Sequence, residues 1–151
     1  MKLSIIIPVF NEEKTIISVL ESVINVIIPG FEKEIVIVND GSQDNTDKAI
    51  KLYLKKNKKS ILYLSQRKNL GKGAAVSIGL AEATGDYVVI QDADLEYSPK
   101  DLIKIAKEIK NNKKDIIFGT RLHRLPHFTK EENTPYFLVH YIGNRFLSLI
   151  T

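Results

Sequence analysis

Tyr87-Val88-Val89-Ile90-Gln91-Asp92-Ala93-Asp94-Leu95-Glu96 is an apolar β-run that delivers two carboxylates, two residues apart, just where a strand should end. In extended backbone the side chains at i and i+2 point the same way. Asp92 and Asp94 can therefore converge on one hard divalent cation, which prefers oxygen ligands and commonly holds phosphate oxygens in its remaining positions. Glu96 is a third potential ligand, directly or through water. Two aspartates near a turn also commonly do no more than solvate or cap a loop. The β-branched run ahead of them, with Pro99 and helical periodicity behind, favours a metal–diphosphate site at the carboxyl edge of a parallel sheet.

Outward from that strand, short apolar runs alternate with helical patterns. Strands are predicted at Leu3–Ile7, Glu34–Val38, Ile61–Leu64, Tyr87–Ile90 and Asp115–Phe118, each rich in Ile, Val or Tyr as strands buried on both faces should be. Helices are predicted over Glu13–Ile27, Thr46–Leu54, Gly73–Ala83 and Leu102–Ile109, where apolar residues recur at three and four. This succession predicts an α/β fold, a mainly parallel sheet with helices on both faces. In such sheets ligands bind beyond the carboxyl ends of the strands. Polar clusters fall at all five predicted ends: Pro8-Val9-Phe10-Asn11-Glu12, Asn39-Asp40-Gly41-Ser42-Gln43-Asp44, Gln66-Arg67-Lys68-Asn69-Leu70-Gly71-Lys72-Gly73, Asp92-Ala93-Asp94 and Gly119-Thr120-Arg121.

Composition narrows the class. The 151 residues, 44% hydrophobic and 26% charged, suit one soluble globular domain or part of one. Lack of cysteine excludes disulfides and thiolate metal sites and fits a reducing compartment. The net charge of +4 sits largely in lysine runs such as Lys55-Lys56-Asn57-Lys58-Lys59, which are solvated faces or a surface suited to anionic lipid. No aromatic-and-basic pattern points to nucleic acid. No run of 18 apolar residues is present, and the apolar opening is too short for a signal peptide, so the chain is expected on the cytoplasmic side. Leu122–Thr134 lacks periodicity and reads as a mobile loop; Pro135 suits the first turn of a helix over Tyr136–Leu149. The sequence stops in apolar residues without a helix stop signal, which predicts a chain cut short at its C-terminus. His123, His127 and His140 lack metal-ligand spacing.

Taken together, these motifs resemble glycosyltransferase family 2, enzymes with the GT-A, Rossmann-like nucleotide-sugar-binding fold. Pro8 to Glu12 looks like that family's P-V-(Y/F)-N-E, and Asn39 to Thr46 is similar to its D-D-G-S-x-D-x-T, with Asn39 replacing the first Asp. Asn69-Leu70-Gly71-Lys72-Gly73-Ala74-Ala75, Asp92 to Glu96 and Gly119-Thr120-Arg121 continue the match in order. Asp92-Ala93-Asp94-Leu95-Glu96-Tyr97, two residues before Pro99, together with the later His140-Tyr141-Ile142-Gly143-Asn144-Arg145, most resembles the branch like dolichol-phosphate mannose synthase, which passes a sugar to a polyprenyl phosphate. The resemblance implies a nucleotide-sugar-binding core over residues 1–121. Residues 122–151 would then be a loop and the start of an acceptor-side, membrane-proximal helical region. It further implies inverting transfer of a hexose from a UDP- or GDP-hexose to dolichyl or undecaprenyl phosphate, aided by Mg2+ or Mn2+, at the cytoplasmic face of a membrane. The alternatives are a hydroxyl acceptor in cell-surface glycan synthesis, and a nucleotide-sugar-binding fragment inactive alone.

Each motif then has an expected task. A cation held by Asp92, Asp94 and Glu96 would stabilise the departing diphosphate; Asp92, Asp94 and Arg121 are the expected catalytic set. Asp40 should emerge over the crevice, where a carboxylate can accept the imide N–H of uracil or the paired donors of guanine; an Asp-Gly turn residue is the plainer role. Pro8, Val9, Asn11 and Glu12 would neighbour the same nucleoside. The segment from Asn69 to Gly73 is not a Walker A loop; its glycines would let backbone approach the donor, and Lys72 would reach the donor phosphates or ribose, or face solvent. Arg121 suits the donor or acceptor phosphate, with Arg145 a further candidate for the acceptor. A phosphate monoester is anionic near neutral pH and attacks without the general base that a hydroxyl needs. No such base is evident after the fifth strand, which favours the lipid phosphate.

Overall fold

Alternation of apolar strands and amphipathic helices produces, in order, β1 (Lys2–Val9), α1 (Ile16–Asn25), β2 (Glu32–Asn39), α2 (Thr46–Lys56), β3 (Ile61–Ser65), α3 (Lys72–Glu82), β4 (Tyr87–Ile90) and α4 (Asp101–Asn112). The computed structural model describes residues 1–57 and 61–112, which lie within one unit, Met1–Ile117. The predicted fifth strand, the loop after Arg121, the helix over Tyr136–Leu149, and Arg121 and Arg145 themselves lie outside the described residues.

All four described strands run parallel in the order β3-β2-β1-β4. Chain order thus reverses beside β1, and the crevice beyond the carboxyl ends of β1 and β4 is where this topology places a ligand. The fold is α/β with a parallel sheet and helices on both faces, as expected. Leu3, Ile5, Ile7 and Val9 of β1 face α1, α2 and α4 through Ile16, Val19, Leu20, Ile50, Leu102 and Ala106. Ile6, Val36 and Val38 face the other way, against Ala75 of α3. A Cβ on Gly79 would lie 2.5 Å from Ile6 Cγ2, so α3 owes its close seat on the sheet to that glycine.

Burial on both faces holds for β1 and β2 but not for β3 and β4. Leu62, Val88 and Ile90 are 38%, 41% and 48% exposed; β4 alternates with period two like a half-buried strand, while in β3 only Leu62 among the apolar residues is exposed. The cause is coverage: α3 packs on β1 and β2. Helix α1 is also shorter than the periodicity suggested. It begins after a turn in which Thr15 and Ile16 donate to the Glu12 carbonyl, and at its far end Lys33 Nζ donates to the carbonyls of Val23, Ile24 and Val26 at 2.9, 2.7 and 2.6 Å. A cation at a helix C-terminus both satisfies orphan carbonyls and opposes the dipole.

At the amino edge of the sheet, Glu34 gathers Lys2 Nζ at 2.6 Å, the Ser4 hydroxyl at 2.5 Å and the backbone N–H of Thr84 at 2.7 Å. Burial pushes the Glu34 carboxyl up, but the hydrogen bonds from Lys2, Ser4 and Thr84 outweigh it and hold the group down at about 2. This cluster ties the α3–β4 turn to the first two strands, far from the carboxyl-edge crevice.

Candidate active site at the carboxyl edge

The turns after β1 and β2 are stitched into one rim. Asn11 adopts a left-handed φ of 55°; its N–H donates to Ser42 Oγ at 3.0 Å and its Oδ1 accepts from Gln43 N at 2.8 Å. Glu13 Oε2 accepts from both the backbone and side-chain nitrogens of Asn45 at 2.9 Å. Glu12 N donates to Thr46 Oγ1 at 2.8 Å. Asp44 accepts from Glu13 N and Thr46 N; burial raises its carboxyl, and the bonds from Thr46 and Glu13 prevail and keep it below its ordinary value. Much of the two motifs thus serves to shape the rim.

Asp40 is 3% exposed and fastens a third loop. Its Oδ1 accepts from Gln66 Nε2 and Leu70 N, both at 2.9 Å, and its Oδ2 from Gly71 N at 2.8 Å. A carboxylate has about four acceptor positions, so most of this one is committed to the segment before α3. Gly41 permits the approach: with φ at 68°, a Cβ there would sit 2.4 Å from the Lys68 carbonyl carbon. Beside it, Asn39 Nδ2 donates to the Tyr63 hydroxyl at 3.0 Å, which donates to Asp47 Oδ1 at 2.6 Å. Burial and the Asp47 bond push the Tyr63 phenol up to about 12; the bonds from Lys51 and Tyr63 hold the Asp47 carboxyl low.

Between these loops and the end of β4 lies a cleft of about 270 Å3 lined by Pro8, Val9, Phe10, Glu12, Asp40, Asn69, Lys72, Ala75, Asp92, Ala93 and Asp94. It brings together seven of the residues singled out in the sequence. Asn11 and Glu96 are not among its lining residues; Asn11 holds the rim, and Glu96 N donates to Asp94 Oδ1 at 3.0 Å. Asp92 and Asp94 do not meet by strand alternation, because β4 ends at Ile90. They reach the same cleft through a bend in which Leu95 takes a φ of 64°, held by buried Gln91, whose Nε2 donates to the carbonyls of Asp92 and Tyr97. Lys72 does not simply face solvent: its Nζ lies 2.7 Å from Asp92 Oδ1 and 2.8 Å from Oδ2.

Among the described residues no three His, Cys, Asp or Glu side chains are grouped as a metal-binding set. A pair of carboxylates lining an open cleft still suits Mg2+ or Mn2+, because such hard ions are commonly held by one or two carboxylates with substrate phosphates and water completing the shell. A wider groove of about 540 Å3 on the far side of the Asp40 loop carries Lys48, Lys51, Arg67 and Lys68 but neither Asp92 nor Asp94. Gln66, Asn69 and Gln91 are site-building residues to which the sequence reading gave no individual task. For Asn69 the signal was its place in a motif; for Gln66 and Gln91 it was only their position directly after a strand.

Comparison with known proteins agrees with this geometry. The sequence model described as "Glycosyl transferase family 2" matches residues 4–148. A dolichyl-phosphate beta-glucosyltransferase of Trichomonas vaginalis is 35% identical over 97% of this chain and 45% of its own length. A dolichol-phosphate mannosyltransferase of Pyrococcus furiosus is 36% identical over 91% and 37%. The chain thus spans about half the length, or less, of these curated relatives. Among solved structures, Staphylococcus aureus TarS in complex with UDP-GlcNAc aligns with a TM-score of 0.65 at 29% identity, covering 83% of this chain and 37% of that one. A Pyrobaculum calidifontis mannosyltransferase in complex with GDP-Man and Mn2+ gives 0.59 at 26%, covering 72% and 31%.

Proposed function

The chain belongs to glycosyl transferase family 2, and from that premise we propose that it binds a UDP- or GDP-hexose in the carboxyl-edge cleft and contributes to inverting transfer of the hexose to a polyprenyl phosphate. The observation that carries this reading is the convergence of Asp92 and Asp94 with Asp40 and Lys72 on one cleft beside the reversal of strand order. The names of the relatives support a lipid-phosphate acceptor, and the neighbour that holds GDP-Man with Mn2+ supports a divalent cation.

Asp92 and Asp94 would hold Mg2+ or Mn2+, with Glu96 reaching it through water; the ion supplies Lewis-acid stabilisation of the charge on the departing diphosphate. The chain's own part is positional. Pro8, Val9 and Glu12 form the nucleoside side of the cleft, and Asn11 keeps that side in place. Asp40 presents its remaining acceptor position to the base while holding the loop that carries Lys72. Arg121, with Arg145, is assigned to phosphate of donor or acceptor. The acceptor phosphate, already anionic, displaces the nucleoside diphosphate at the anomeric carbon from the opposite face, so no protein base is required. Residues 1–121 would form the donor half and residues 122–151 the start of the acceptor side, at the cytoplasmic face of a membrane. Among the described residues no helix is long and apolar enough to cross a membrane.

The test is calorimetry of UDP-glucose and GDP-mannose binding with and without Mn2+, followed by chromatographic detection of a polyprenyl-phosphate sugar. Mn2+-dependent binding that Asp94→Asn abolishes is expected, since an amide oxygen lacks the charge to hold the ion against water. Donor binding without transfer would assign the chain to a binding half that needs further sequence. Transfer to a hydroxyl acceptor alone would replace the lipid phosphate, and absence of any Mn2+-dependent donor binding would overturn the reading.

A further inference from the structure

The cleft has an unusual charge arrangement for a diphosphate site. Its lining carries four carboxylates, Glu12, Asp40, Asp92 and Asp94, and a single ammonium, Lys72. That ammonium is already paired. It contacts both oxygens of Asp92, at 2.7 and 2.8 Å, which are the atoms a divalent cation on this aspartate would use. Asp92 is the less exposed partner, its side chain 21% accessible against 62% for Lys72. The lysine is thus anchored by its stem at the first residue of α3 while its head lies over the carboxylate. Rotation about the long side chain suffices to move the head elsewhere in the cleft. The root is less mobile, because the preceding Gly71 is pinned by Asp40.

We propose that Lys72 is a resident cation for Asp92 that the divalent ion replaces, and that the displaced ammonium then pairs with the nucleotide diphosphate, coupling the two loading events. This rests on the reading of the cleft as a metal-assisted donor site. The physical logic is exchange of partners with charge conserved. A divalent ion arriving alone must compete with an ammonium for the same two oxygens, so it binds weakly. A diphosphate arriving alone meets four carboxylates whose nearest counter-charge is already engaged, so it too binds weakly. When both arrive, the ion takes Asp92 and Asp94, and Lys72 exchanges one carboxylate for phosphate oxygens; each ligand improves the other's affinity by the same factor. Lys72 in this role is a positioning residue whose pairing reports which ligands are bound.

The experiment measures free Mn2+ by electron paramagnetic resonance during titration of the full chain, without nucleotide and then with saturating UDP or GDP. Lys72→Met is expected to bind Mn2+ about 1.5- to fivefold more tightly than the parent without nucleotide, the range for releasing one partly exposed ion pair, and to lose most of the enhancement that nucleotide confers on the parent. Lys72→Arg should retain both parental behaviours. Lys104→Met, which removes the same charge from an exposed i,i+3 pair with Asp101, should match the parent. Unchanged or weaker Mn2+ binding by Lys72→Met, with the parent still binding Mn2+ and nucleotide together, overturns the exchange but leaves the donor-site reading intact. A parent that binds no Mn2+ under either condition overturns both.

Discussion

Replacing Asp40 separates two tasks that one carboxylate can carry. Asp40 accepts three hydrogen bonds, from Gln66 Nε2, Leu70 N and Gly71 N, at 2.8–2.9 Å, and is itself nearly inaccessible. Hydrogen bonds to a charged group contribute about 1.5–3 kcal/mol each, but the three bonds are only part-buried, so the donors left by Asp40→Ala regain part of that from water. The expected cost is therefore about 2–4 kcal/mol, less than the sum of three bonds. Asp40→Asn offers a sharper comparison. Its amide oxygen can keep Gln66 and Leu70, while its NH2 must then face the Gly71 N–H, donor against donor, so about 1–2 kcal/mol should be lost at one end of the loop only. Urea denaturation gives the totals, and amide exchange at Leu70 and Gly71 gives the location: both amides deprotected in the alanine variant, Gly71 alone in the asparagine variant. Stability within about 0.5 kcal/mol of the parent with unchanged exchange, alongside lost nucleotide binding, would refute the anchoring role and leave Asp40 a base reader alone.

Further expectations concern the scaffold beneath the site. Glu34 sits at about 2 in the folded chain against 4.5 otherwise; because the folded value is the lower, its stabilisation is complete above about pH 4.5 and fades as pH falls toward 2, and Glu34→Gln should flatten the melting temperature across that window. Lys33→Met removes the donor to three carbonyls at the end of α1 and should cost about 1–2 kcal/mol by thermal denaturation, with exchange quickening first at the end of that helix. Asn39→Asp would set a buried carboxylate against a Tyr63 hydroxyl already donating to Asp47; a loss of about 1–3 kcal/mol at neutral pH, partly recovered as pH falls, is expected in denaturation series. Equal stability of Asn39→Asp and parent would sink that account.

Where local pattern and global fold agree, the sequence was legible. The β4 segment was bounded correctly from its Ile, Val and Tyr run, and α2, α3 and α4 were placed to within a few residues by apolar spacing. Apart from the local bend that carries Asp92 and Asp94, the misjudged features depend on partners elsewhere in the chain. The start of α1 moved because Glu12 and Glu13 are drawn into the rim by Thr46, Asp44 and Asn45, more than 30 residues away. Its end moved because Lys33 reaches back from β2. The exposed faces of β3 and β4 follow from where α3 lies, which periodicity within either strand does not encode. The same holds for the site: the motifs announced which residues gather at the carboxyl edge, whereas the division between rim-building and cleft-lining residues emerged only from the hydrogen bonds.

That division explains one departure from the family's usual pattern. With Asp at position 39, the buried cluster would hold two carboxylates around one phenol, and a single hydroxyl cannot donate to both. An amide at 39 resolves this by donating to Tyr63 through Nδ2 while its oxygen still accepts from Ser42 N at 3.0 Å. Asn39 therefore keeps the turn-forming acceptor that an Asp would supply, and Asp47, paired with Lys51 at 2.7 Å, carries the negative charge from a more solvated position. Asp40, at the next residue, remains the acidic group on the cleft side. An Asn at 39 thus leaves the charge of the cleft lining unaltered and changes only how β2 and β3 are joined beneath it.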